Sequence, residues 1–257
     1  MKKVKEIKYL LKGISIVILA LTLIGGFLYF CPKEWAQVKN KETNETFFSE
    51  FPATESSKQE LIDVPLENQN TGEIPLENGC EITALSMLLN YYGYKTNKNE
   101  LAELLNYVPV YENETEGIRG NPHEGFVGNI YEGLDAMGVA VEPIAEVAEK
   151  VIDDSHEVVA STTTSFDDLA QIVNEGEPVW VVTTVDFEVP TTEDFKIWQT
   201  NDGEVTVSPL CHAVVITGVD QAKVYVNDPH GYKNESVDRE RFEKIYKAMG
   251  SQSLYLA

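Results

Sequence analysis

Cysteine is scarce in this chain: three in 257 residues, at positions 31, 80 and 211. So few exclude a fold stapled by several disulfides. Histidine is nearly as rare, with four. Neither the helical zinc-protease motif nor paired cysteines at finger spacing occurs, so His123 and His230, although either could join Asp228, lack a metal pattern and no metal is expected. A phosphate-binding glycine loop and a dinucleotide fingerprint are missing too. No cofactor and no attached transporter ATPase are therefore expected.

Basic residues are missing where a polyanion would need them. Residues 1–31 carry five Lys against Glu6, leaving 15 basic and 41 acidic residues beyond them, a net −26 within a chain at −22. Nucleic acids and anionic surfaces are held mainly by clustered Lys and Arg, so no nucleic-acid partner is expected. Neutral or basic substrates fit better. Long apolar runs are absent with one exception, Gly13 to Phe30, GISIVILALTLIGGFLYF. As a helix it would reach roughly 27 Å, close to the hydrocarbon thickness of a bilayer. Lys2, Lys3, Lys5, Lys8 and Lys12 precede it, which keeps the N-terminus cytoplasmic and puts the rest outside. The expected organisation is a basic cytoplasmic segment (1–12), a single-pass membrane anchor (13–31), a polar extracytoplasmic tether (32–60) and one domain (61–257), with the lipid bilayer as a partner of the anchor.

Within that domain, Leu61–Leu66 has the composition of a short strand. Cys80–Tyr92 reads as a helix, with Ile82, Leu85, Leu89 and Tyr92 spaced for an apolar face and Gly93 to end it. Asn99–Leu105 suggests another helix, and Pro122–Met137 a weakly periodic one. Ser165 caps a helix that stops at Gly176, ahead of a β-branched strand from Pro178 to Val185. His212–Val219 and Lys223–Asn227 form an antiparallel hairpin, Arg239–Met249 a helix, and Leu254–Ala257 a last edge strand. Helices early and an antiparallel sheet late make this an α+β fold.

Gly79-Cys80 opens the first helix, where the dipole favours a thiolate. A nucleophilic cysteine needs a histidine base on a separate element, and His212 at the start of the hairpin is the best placed of the four. A third group must orient the imidazole. Asn227 and Asp228 both lie on the paired strand, and which of them faces His212 depends on the register of the hairpin. The bland readings are a disulfide between Cys80 and Cys211, or a small buried cysteine. Cys211 and His212 are neighbours on a strand and should point to opposite faces, which disfavours the disulfide. Trp180 and Trp198 are read as packed aromatics rather than as substrate contacts.

The segment NGCEITALSMLLNYYG from Asn78 to Gly93 closely resembles the nucleophile helix of the bacteriocin-processing, double-glycine type of bacterial cysteine peptidase, family C39. The resemblance extends to VPLENQ (64–69), GNPHEGFVGN (120–129), HAVVITGVD (212–220) and VYVNDP (224–229), and covers most of residues 61–230. It implies a papain-like fold, with the cysteine on the helical part and the His and Asp on the sheet. It also implies Cys80 as nucleophile, His212 as general base, Asp228 rather than Asn227 as the orienting group, and Gln69 as the oxyanion donor, to which Asn78 or a backbone N–H could contribute. The reaction so implied is hydrolysis of a peptide bond, in a peptide or protein substrate, outside the membrane. The alternatives of other classes are an inactive surface-binding module of the same fold and a cell-wall amidase using the same triad.

Overall fold

The computed structural model describes residues 60–257. The expected anchor and nearly all of the tether lie outside the described residues. Among the described residues no helix is long and apolar enough to cross a membrane.

In chain order the elements are α1 (Cys80–Tyr91), α2 (Lys98–Leu104), four very short strands β1 (Tyr107–Val108), β2 (Tyr111–Asn113), β3 (Ile118–Arg119) and β4 (Phe126–Val127), and α3 (Val141–Glu149). Then come β5 (Val158–Ser161), α4 (Phe166–Asn174), β6 (Val179–Thr184), the hairpin β7 (Lys196–Thr200) and β8 (Gly203–Val207), β9 (Cys211–Val219), β10 (Lys223–Asp228), β11 (Tyr232–Asp238), α5 (Arg239–Ala248) and β12 (Ser253–Leu256). The main sheet has six strands in the order β11-β10-β9-β6-β12-β5, every neighbouring pair antiparallel. α1 and α3 precede the sheet in sequence and pack against it, and α4 and α5, which fall between its strands, pack against it too; helices against an antiparallel sheet make the expected α+β fold.

The ends of α1 follow from local chemistry. Gly93 adopts φ +91°, its N–H donates to Asn90 O at 3.1 Å, and Tyr94 N–H reaches back to Leu89 O at 3.1 Å. Those two bonds satisfy the last carbonyls in a Schellman closure that favours glycine. The spacing of Ile82, Leu85 and Leu89 suggests one apolar face, yet Cys80 through Leu89 are all buried. A helix enclosed on all sides must bury its polar positions as well, and Glu81, Thr83 and Ser86 go in with the rest. Elsewhere side chains cap the helices as their types dictate: Asn97 accepts from Asn99 and Glu100 N–H on α2, Ser165 from Asp168 N–H on α4, and Asp238 from Arg241 N–H on α5.

Three sequence expectations fail locally. Residues 122–137 are not a helix: Gly128 sits at φ +94° and Gly133 at φ +92°, backbone a helix cannot hold, and the segment instead lays β4 parallel to β1. The helix of this region comes later, as α3. Residues 61–66 join no ladder: Ile62 N–H donates to Thr217 O at 2.8 Å, but Val64 N–H turns back to Ile62 O at 2.9 Å and Pro65 has no N–H to continue. Finally, β12 is not an edge strand. It lies between β6 and β5, with Leu254 fully buried, and β5 and β11 are the edges.

Candidate active site

α1 points its N-terminus at the start of β9, and a cleft of about 190 Å³ opens where they meet. Cys80, Gln69, His212, His230, Glu81 and Cys211 all line it. Cys80 is the first residue of α1, and its capping neighbour Gly79 has no side chain to occupy the helix end. A side chain on Gly79 would run into Leu76, its Cβ falling 2.5 Å from the Leu76 Cβ. Glycine thus lets the loop close tightly enough to bring the sulfur to this spot.

The electrostatics of the sulfur differ from the expectation of a thiolate at a helix start. Cys80 is 7% exposed and its Sγ–H donates to Glu81 Oε2 at 3.2 Å. Burial, and then the Glu81 carboxylate beside it, push the thiol up; the Ala213 backbone N–H pulls only weakly the other way. The helix dipole is outweighed because it acts only as a partial charge, whereas burial of the sulfur, with the Glu81 carboxyl beside it, disfavours the thiolate. Among the described residues, no hydrogen bond joins Cys80 to His212.

His212, second residue of β9, is 2% exposed and bonds Asp228 Oδ1 through Nε2 at 3.0 Å. A carboxylate only accepts, so Nε2–H donates and Nδ1 is left as the nitrogen that can take a proton. Burial alone would raise the Asp228 carboxyl. The hydrogen bond and charge of His212, with the backbone N–H of His230 at 2.7 Å, bring it below the usual carboxylate range instead.

A β-bulge selects Asp228 over Asn227. Near the turn, Tyr225 pairs with Gly218; one step further, Val226 pairs with Ile216, so Thr217 is the extra residue. Continued without the bulge, the turn-side register would set Asn227 opposite Ile216, on the face of His212. The bulge shifts Asn227 to Val215 and brings Asp228 round to the His212 face. Asn227 is left on the other face as a fastener, its Nδ2 donating to Val64 O at 2.9 Å and its Oδ1 accepting from Asn234 N–H at 3.0 Å.

Gln69 lies in the cleft with its donors committed. Nε2 donates to the carbonyls of Leu76 (3.2 Å) and Glu77 (2.8 Å), and among the described residues the buried Oε1 has no partner. Asn78 is committed likewise, Nδ2 donating to Asn129 O and Gly133 O. An oxyanion would find the first backbone N–H groups of α1, which have no intrahelical acceptor. The strand alternation invoked for Cys211 does not keep it away: at the rim, where β9 begins, it and His212 both line the cleft, and Cys211 Sγ lies 3.9 Å from Glu81 Oε1. Both cysteines are free thiols.

The remaining candidates separate cleanly. His230 stacks on His212, with ring centroids 4.7 Å apart and planes 24° apart, and its Nδ1 lies 3.7 Å from Asp228 Oδ1. Ligand atoms of His212, Asp228 and His230 fall within 4.8 Å of one another, with His212 Nε2 and Asp228 Oδ1 already hydrogen-bonded to each other. His123 lies elsewhere, paired with Glu142 at 3.0 Å in a neighbouring cavity of about 450 Å³. Trp180 is fully buried and donates from Nε1 to Glu81 O at 3.0 Å, while Trp198 packs with Val127 and Val207. Sequence reasoning passed over Glu81; its signal was a carboxylate directly after the cysteine in a helix destined for burial.

Comparison with known proteins agrees with this architecture. The Bacillus subtilis protein YvpB, itself uncharacterized, is 38% identical over 214 residues, 81% of this chain and 82% of that protein. The crystal structure of a candidate C39-like peptidase from Bacillus anthracis superposes with a TM-score of 0.69 at 35% identity, covering 77% of this chain and 98% of that one. A family model matches residues 61–254, which contain every cleft residue named above. The chain therefore belongs to the Peptidase_C39 like family.

Proposed function

We propose that this chain is a cysteine peptidase that hydrolyses peptide bonds with Cys80 as nucleophile, His212 as general base and Asp228 as the group that orients the imidazole. The observation that carries the reading is the buried His212–Asp228 bond of 3.0 Å in the same cleft as a cysteine at a helix start. In this reading the Cys80 S–H bond breaks as Nδ1 of His212 takes the proton, and the sulfur bonds the substrate carbonyl carbon. Helix-start N–H groups hold the developing oxyanion, joined by Gln69 if substrate frees one of its two donors. The imidazolium then protonates the leaving amine, and water releases the acyl group. Asp228 keeps Nε2 protonated, so that Nδ1 faces the chemistry in the right tautomer.

The run Gly13–Phe30, with five Lys before it, supports a place for this reaction: the outer face of the cytoplasmic membrane, with residues 61–257 tethered by 32–60 to a single anchor. A second reading, a surface-binding module of the same fold, is favoured by the protonated resting thiol and by the committed donors of Gln69 and Asn78. Incubating the full-length chain with peptide libraries and with cell-wall fragments, then identifying new termini, separates the readings. New peptide termini that disappear with Cys80→Ala and His212→Ala are expected. Wall fragments cut in place of peptides would favour an amidase, and no cutting would favour the binding module.

A further inference from the structure

Among the described residues, Glu81 is the one buried carboxylate lining the cleft that the triad does not use. It is 1% exposed; Oε2 accepts the Cys80 thiol at 3.2 Å, Oε1 faces Val139 N–H at 3.4 Å and the Cys211 thiol at 3.9 Å, and the carboxylate also takes Glu81's own backbone N–H. Among the described residues no Lys or Arg pairs with it. A buried carboxylate without a cation is costly to keep, which calls for a reason.

The surroundings are shaped around this carboxylate. Gly138, at φ +80°, passes so close that a Cβ there would stand 2.3 Å from Glu81 Oε1. From β6, Trp180 fixes the Glu81 backbone by donating to its carbonyl. From β9 come Cys211 and His212, and the charge of a protonated His212 would favour the carboxylate. The nucleophile thus has two rival partners, and in the structure it is bound to Glu81.

We propose that Glu81 is a positioning residue that holds the nucleophile in reserve: its carboxylate takes the Cys80 thiol as a hydrogen-bond donor and keeps it protonated until substrate displaces the thiol toward His212. This rests on the peptidase reading of the cleft. No covalent step is added; the Cys80 proton stays on sulfur in the resting state and goes to His212 Nδ1 when that bond to Glu81 is given up. The arrangement would protect an outward-facing thiol from oxidation and alkylation, since the thiolate is the reactive form.

The test is the pH dependence of iodoacetamide alkylation at Cys80 in the full-length chain, followed by residue-resolved mass spectrometry so that Cys31 and Cys211 do not interfere. Glu81→Gln removes the charge and can donate to sulfur, so the alkylation midpoint should fall by at least one pH unit, with labelling about tenfold faster at pH 7. A midpoint that stays or rises overturns the proposal. Should E81Q fail to fold, Glu81→Met, which keeps the bulk and removes both the charge and the acceptor, takes its place: a Cys80 midpoint below that of the unsubstituted chain supports the reserve, and one at or above it overturns it. Peptide cleavage is scored in parallel. Cleavage with an unmoved E81Q midpoint overturns the reserve alone, whereas no cleavage by the unsubstituted chain overturns the peptidase reading and the reserve with it.

Discussion

Asp228 and Glu81 are both buried carboxyls, and they respond to burial in opposite directions. For Glu81, burial wins and the carboxyl is raised. For Asp228, burial is outweighed by the hydrogen bond and charge of His212, and the carboxyl is lowered. Linkage turns this into two stability profiles. The Asp228 contribution is present above the unfolded-state value of about 3.9 and is lost as pH falls through the lower folded value, so the stability gap between the native chain and Asp228→Asn should close on acidification. Glu81 destabilises once pH exceeds its unfolded-state value of about 4.3, so E81Q should melt higher than the native chain at pH 8 and similarly at pH 4. Thermal melts of the three chains from pH 3 to 8 check both signs; profiles that run parallel would contradict them. On activity, D228N should lower kcat by about 10²- to 10⁴-fold with little change in KM, because the imidazole would rest in the wrong tautomer.

At the scale of elements, the bulge in β9 is the feature on which the site turns. Thr217 is fully buried, its carbonyl receives Ile62 N–H, and its hydroxyl donates to Asn234 Oδ1 at 2.8 Å. Exchanging the two residues in the double variant Asn227→Asp with Asp228→Asn keeps the bulge-set register and turns the carboxylate away from the His212 face. The expected result is a chain whose circular dichroism keeps its sheet signal while peptide cleavage falls by two orders of magnitude or more. Retained cleavage would mean that the bulge is incidental. The helix ends lend themselves to simpler tests. Ser165→Ala removes the acceptor for Asp168 N–H at the start of α4 and should cost about 1 kcal/mol in urea denaturation, with no effect on cleavage.

Across the whole molecule, charge is the dominant property. A net −26 beyond residue 31 gives a field that gathers cations and repels anions. Peptides flanked by Lys should be cleaved with higher kcat/KM than the same peptides flanked by Glu. That advantage should shrink as ionic strength rises from 0.01 to 0.15 M and the Debye length falls from about 30 to 8 Å. A preference that ignores salt would place the selectivity in direct contacts within the cleft rather than in the long-range field.

What the sequence determined by itself was local. Gly93 ends α1 because of its φ, Ser165 starts α4 because of its hydroxyl, and the alternation and turn chemistry of residues 212–228 yield an antiparallel hairpin; these depend on a few adjacent residues. Resemblance then picked out Cys80, His212, Asp228 and Gln69, and the fold gathers all but Asp228 on the lining of one cleft, with Asp228 behind His212. Tertiary structure decided the rest. The glycines of 122–137 override a weak helical period because their N–H groups bond segments distant in sequence, Gly128 to Val108 O and Gly133 to the Glu77 carboxylate. β12 lies inside the sheet because β5, some hundred residues earlier, pairs with its outer side. Whether Asp228 or Asn227 meets His212 rests on one unpaired residue in the facing strand. The protonation of Cys80 is decided in the same way, since a helix start favours a thiolate and only the folded core, by burying the sulfur against the carboxylate of Glu81, reverses the sign.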